Sequence, residues 1–259
     1  MPIKYSKKQV KALITAVYEG RVTTGKLPEG LYYAIADNLK EALYDGYGGT
    51  LLDFGGKPLE VLEELRENIY IFSAAKTYQE VRAVTMLLSN NNDISTFKQF
   101  YDEASKVLDV YNKNYLRTEY NTAIASAQQA SYWNKIEEQA DTFPLLEMTV
   151  VEDANTSEIC RPLDGIVLPI NHAFWRKYYP PNHFNCRSTV LQRSEGRISS
   201  DKQVKHAVKH AEADVLPIFQ MNVGIDRIVF SKEHPYFDVE KGDRDLAKKN
   251  FNLPIPKKD

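Results

Sequence analysis

With 259 residues, the chain is long enough to bury a real core as one or two ordinary domains. Charged residues make up 26% and the hydrophobic set 43%; lysine plus arginine (33) nearly balance aspartate plus glutamate (35), so a net charge of −2 gives no electrostatic case for a nucleic-acid or membrane surface. The longest apolar runs, such as NIYIFSAA at 68–75, fall well short of the roughly 18 to 20 residues that a bilayer span needs.

The opening MPIKYSKKQV is polar and then amphipathic, which reads as no secretory leader. Two cysteines, Cys160 and Cys186, are too few for a disulfide scaffold and favour a reducing compartment. Sixteen tyrosines against two tryptophans suit contact surfaces that are apolar on one side and wet on the other.

In SKKQVKALITAVYEG, Val10, Leu13, Ile14 and Val17 recur at helical steps, with Ser6 as N-cap and Gly20 as stop. A second helix runs through PEGLYYAIADNLKEALYDGY, and a third begins at Pro58 in PLEVLEELRENIYIFSAAKTYQEVRAVTMLL. The loop YGGTLLDFGGKP between them does not fit a phosphate loop, because Gly56-Lys57 is followed by Pro58 and Leu51 stands where the first glycine should be. It reads as an interhelix loop. After the polar break SNNNDIST, residues 97–139 keep a helical period without glycine or proline: one very long helix, or two with a tight joint near Asn112 to Asn114. Ala123, Ala127 and Ala130 form a small-residue face that another backbone can approach. Arg117, among Leu116 and Tyr120, reads either as a buried, paired guanidinium or as a member of a surface i,i+4 pair.

At Phe143-Pro144 the character changes. LEMTVVED has strand composition, ANTSEICRPLDGIVLPINHAFWRKYYPP is turn-rich, CRSTVLQR is a second strand, SSDKQVKHAVKHAEAD a polar helix and IDRIVFS a third strand. The closing EKGDRDLAKKNFNLPIPKKD is charged and proline-dotted, more like an arm than core. The predicted fold class is α+β: a predominantly helical N-terminal half, then a smaller mixed α/β core with a few short strands. The expected division is 1–92, 93–193 and 194–259.

The chemistry-bearing residues gather in the second half. Cys160, His183 and Cys186 are three soft or borderline ligands, and a carboxylate such as Asp153 or Asp164 could complete a tetrahedral zinc site. Strong zinc signals bring ligands in two close pairs, and Cys160 has no partner within four residues. The competing reading makes Cys186 a small buried residue at the start of a strand and His183 a hydrogen-bonded turn residue. No cofactor is otherwise indicated. His206, His210 and Asp214 fall at four-residue steps on one helix face, a pattern more typical of a solvated face than of a metal site. Deaminase, HExxH, Gly-x-Ser-x-Gly, dinucleotide and kinase signatures are all missing. No catalytic set is identified, and the chain is not expected to be an enzyme.

The succession YNKNYLRTEYNTAIASAQQASYW, EDANTSEICRPLDGIVLP and FWRKYYPPNHFNCRSTV, over roughly residues 97–192, resembles the phage Mu protein F-like family of minor head, or head morphogenesis, proteins of tailed bacteriophages and prophages. The positions carrying the likeness are Arg117, Glu119, Asp153, Cys160, Asp164, Gly165, Pro180, Pro181, His183, Cys186 and Arg187. The resemblance implies a virion component made in the host bacterial cytoplasm and present in few copies in the head interior or near the portal. Its implied partners are portal and capsid proteins and packaged DNA, and its roles head assembly, DNA packaging or DNA delivery. It implies no enzymatic activity for this core, although some relatives carry toxin domains beyond it. Relatives with a further cysteine near the Cys160 position differ from this chain. In that frame Arg117 and Arg187 are expected as fixed core charges, pairing with Glu119, Asp153 or Asp164, and their loss would leave a buried carboxylate unpaired. The rival expectation is a nuclease or toxin-like effector delivered with DNA, using His206, His210 or His234 with nearby carboxylates.

Overall fold

The computed structural model describes residues 5–90, 96–212 and 214–256. The expected break at SNNNDIST lies mostly outside them, as does the side chain of His210. The architecture is α+β, with long helices in the first half and a small antiparallel sheet in the second. Among the described residues no helix is long and apolar enough to cross a membrane.

The chain forms two compact units that interleave along the sequence, one from residues 1–41, 66–120 and 234–259, the other from 42–65 and 121–233. Five helices supply the first half: α1 (Lys7–Tyr18), α2 (Glu29–Tyr47), α3 (Gly56–Asn90), α4 (Phe97–Asp109) and α5 (Leu116–Glu138). The third helix thus starts two residues before Pro58. Ser6 caps α1 in a reciprocal box with Gln9, and Gly20 takes the left-handed conformation after its end.

In the first unit, α1 buries Leu13, Ile14 and Val17, while Tyr18 meets Phe97 of α4 edge-on at 5.1 Å. Between α4 and α5, residues Val110–Tyr115 form a π-helical turn. The joint expected near Asn112 to Asn114 is therefore one extra residue per turn in a continuous helical run. The expectation of a C-terminal arm is corrected: Phe251 and Leu253 are buried, Phe251 stacks on Tyr78 at 4.8 Å, and the carbonyls of Pro254 and Pro256 accept from Tyr32 Oη (2.6 Å) and Arg66 (2.7 Å). Apolar residues spaced between the charges give the segment enough surface to bury.

In the second unit, strand β1 (Leu145–Thr149) lies between β2 (Val167–Pro169) and β3 (Thr189–Arg193), antiparallel to both. Leu146 pairs with Leu168, and Met148 with Val190, so four buried apolar residues share one face. The third strand of the sheet is β2, whereas the run IDRIVFS is not a strand. Asn222 caps a short helix there and Arg227 ends it at φ 55°, so Val229 and Phe230 are buried by packing rather than by a ladder. The small-residue face of α5 does what its composition suggests: Ala123, Ala127 and Ala130 are fully buried, and Gly46 of α2 comes so close that a Cβ there would lie 2.4 Å from the Ile124 carbonyl oxygen.

Candidate functional site: a cysteine–histidine cluster

Two loops of the second unit build the site. The first leaves β1 and returns to β2. Asp164 accepts a 2.8 Å bond from the Val150 N–H, and Gly165, at φ 70°, donates 2.9 Å to the Met148 carbonyl, so these two residues close the loop at its base. Within it, Asp153 accepts from the Asn155 N–H at 2.8 Å and its own N–H donates to Thr156, an Asx-type turn. Cys160 sits at the far side, buried, its N–H bonded to the Ser157 carbonyl, just before the Arg161–Leu163 turn.

The second loop enters β3. Pro180 and Pro181, both buried and joined by a cis bond, bring the chain in. An i,i+3 bond from Cys186 N–H to the His183 carbonyl (3.2 Å) folds His183 and Cys186 onto one side, with Asn185 left-handed at φ 57° and held by Asn121 at 3.0 Å. The expectation that Cys186 begins a strand is corrected by three residues, since β3 starts at Thr189.

The fold brings Cys160, His183 and Cys186 together, with ligand atoms all within 4.8 Å of one another, the one such triad among the described residues. The two sulfurs stand 3.7 Å apart, in contact without a bond. His183 Nδ1 lies 2.8 Å from the Phe184 carbonyl, which can only accept, so in the neutral imidazole Nδ1 carries the proton and Nε2 the lone pair. A hydrogen bond from the Cys160 thiol, supported by His183, pulls the Cys186 thiol well below its usual range, while the same contact and burial push Cys160 up. Hydrogen bonding to Cys186 raises the His183 imidazole against the effect of its burial. The arrangement is two cysteine sulfurs in contact beside an imidazole.

Neither candidate carboxylate joins the triad. Both oxygens of Asp153 are taken by Arg187, at 2.6 and 2.8 Å, and that guanidinium holds the carboxyl well below the ordinary range. This pair is exposed, at 44% and 40%. The expectation of Arg187 as a core charge is therefore corrected to a surface clamp between the two loops. Arg117 is exposed as well. The buried partner of Glu119 in the first unit is Lys76, at 2.9 Å, with Tyr236 Oη donating to the same oxygen at 2.8 Å. Glu80, also fully buried, accepts 2.7 Å from Asn112 in the π-helical turn, and its carboxyl is raised to about 7 by burial. His234, packed edge-on against Phe72 at 5.0 Å, is pushed down to about 4 by burial, then by the Lys76 charge, and so is a neutral packing residue. His206 and Asp214 are exposed. Sequence reading missed Lys76 and Glu80, four residues apart like a solvated helix pair. The polar neighbours Ser73, Thr77, Gln79 and Arg82 give no local sign that this stretch of α3 is buried.

Residues 74–191, from α3 to β3, match the family described as Phage Mu protein F like protein. Over that segment the chain is similar to the phage Mu protein F-like family. The chain is similar to the putative capsid assembly protein F of Escherichia phage Mu, 29% identical over 94 residues, which are 36% of this chain and 21% of that protein. The chain thus spans about a fifth of the curated relative it matches. No solved structure matches it. The Mu F-like region encloses both loops of the cysteine–histidine site and the Lys76–Glu119 pair.

Proposed function

We propose that the protein is a minor head component of a tailed phage or prophage that acts in head assembly. The observation that carries this reading is the family match over residues 74–191, supported by the likeness to a putative capsid assembly protein. The finer reading places it in few copies in the head interior or near the portal, in contact with portal and capsid proteins and with packaged DNA, contributing to packaging or delivery. It is synthesised in the host cytoplasm, and two free cysteines suit that compartment. Its role is non-enzymatic. The ionisable groups of the first unit support this, because Lys76, Glu80 and Glu119 are buried against one another and against tyrosines.

The test is composition of the particle. Heads purified from a producing host should contain the protein at a few copies per particle by quantitative mass spectrometry, and tagged protein should retain the cognate portal protein. Heads without it, together with cleavage of DNA or RNA by the purified protein, would favour the effector reading instead.

A further inference from the structure

We infer that Cys160, His183 and Cys186 form a zinc site that staples the two loops of the second unit. The sulfur separation is the first argument. Two thiolates, each about 2.3 Å from a zinc at the tetrahedral angle, lie about 3.8 Å from each other; the observed distance is 3.7 Å. A disulfide needs about 2.05 Å, so the pair is spaced for a shared ion. The second argument is the imidazole. Its Nδ1–H is held by the Phe184 carbonyl, the backbone contact that fixes the tautomer of metal-bound histidines and turns Nε2 outward as donor.

Ser188 lies beside Cys160 in the lining of the site, and the Asn182 amide donates to the Tyr178 carbonyl at 3.2 Å. Asn182 is fully buried. Beside the triad is a recess of about 20 Å³ lined by Val150, Asn155, Thr156, Cys160, His183 and Ser188. That is room for one water, the fourth ligand, because the nearby carboxylate of Asp153 is occupied by Arg187. Two thiolates and an imidazole suit zinc over the hard cations, which take oxygen. On coordination, any thiol proton leaves to solvent.

The site explains what the loops lack otherwise. Cys160 and Cys186 are 26 residues apart in the chain, and the Arg187–Asp153 pair that joins their loops is exposed and stabilises little by itself. An ion there closes the loop in a reducing cytosol, where a disulfide does not persist.

The full chain, expressed in zinc-supplemented medium and purified under reducing, chelator-free conditions, is analysed by elemental mass spectrometry and then titrated with Co²⁺. About one zinc per chain is expected. Cobalt should give tetrahedral ligand-field bands and a thiolate charge-transfer band, both abolished by excess zinc. Cys186→Ser should lose metal. Because that variant could misfold, a second measurement uses wild type: chelator should lower the thermal midpoint by several degrees, with zinc restoring it. Below roughly a tenth of an equivalent of zinc, or no charge-transfer band from reduced folded protein, overturns the proposal. A quantitative Cys160–Cys186 disulfide in freshly purified protein overturns it as well.

Discussion

The Lys76 ammonium lies 2.9 Å from Glu119 Oε1, and the two side chains are 0% and 4% exposed. Lys76 also bonds the Tyr111 carbonyl at 3.0 Å and lies over the rings of Tyr111 and Tyr236. The π-helical turn at Val110–Tyr115 holds that carbonyl and the Asn112 amide at this cluster. Lys76 therefore pairs with Glu119, while the second buried carboxylate, Glu80, is held by the Asn112 amide.

Lys76→Met should be severely destabilising, by about 3 to 5 kcal/mol, because it leaves a carboxylate buried without its counter-charge. Adding Glu119→Leu to that variant should recover much of the loss, since replacing both charges by apolar groups removes the desolvation penalty. Urea denaturation of the four proteins in the cycle measures this; a single-variant loss below about 1 kcal/mol would remove the pair from the core account.

Glu80 sets a pH dependence. Its folded-state value is raised from 4.5 to about 7, so between those values the folded state binds the extra proton. Stability from this group is present in full below pH 4.5 and is lost as pH rises through 7. The span is on the order of 3 kcal/mol, at about 1.4 kcal/mol per pH unit. Glu80→Gln should flatten the slope between about pH 5 and 7.5. An unchanged slope in that variant would assign the dependence elsewhere.

Arg187→Ala should change the melting temperature far less than Lys76→Met, because its pair with Asp153 is exposed and screened by salt. The depressed Asp153 carboxyl contributes stability above its ordinary range, and this is lost as the pH falls through its lowered value. Melting curves at low and high salt decide it, and a loss as large as that of Lys76→Met would contradict a surface clamp.

Two glycines mark close helix approaches. A Cβ at Gly224 would lie 2.3 Å from the Trp133 Cβ, and one at Gly46 would lie 2.4 Å from the Ile124 carbonyl oxygen. Alanine at either position should cost about 1 to 3 kcal/mol by overpacking. Gly30→Ala in α2 has open space around it and should be neutral or stabilising. Equal effects at all three positions would argue against the close packing.

The parts of this fold legible in sequence are those written locally. Ser6 and Gln9 announce a capped helix, the alanine face of α5 announces a close neighbour, and the residues around Asn112 announce an irregularity. Long-range partners were not legible. A lysine four residues before a glutamate looks the same on a solvated face as in the core, and only the burial of α3 on all sides shows that Lys76 belongs to Glu119. Val229 and Phe230 carry strand composition but are satisfied by packing after a left-handed Arg227. The Cys160–Cys186 contact depends on two loops meeting, so residue types alone left zinc and a plain buried cysteine as open alternatives.

The most direct measurement of the head-assembly account is a null mutation in the gene within its producing phage or prophage, with particles counted by electron microscopy and titre. The account predicts aberrant or poorly filled heads and a loss of infectious particles, restored by the gene in trans. Normal numbers of DNA-filled, infectious particles without the protein would contradict it.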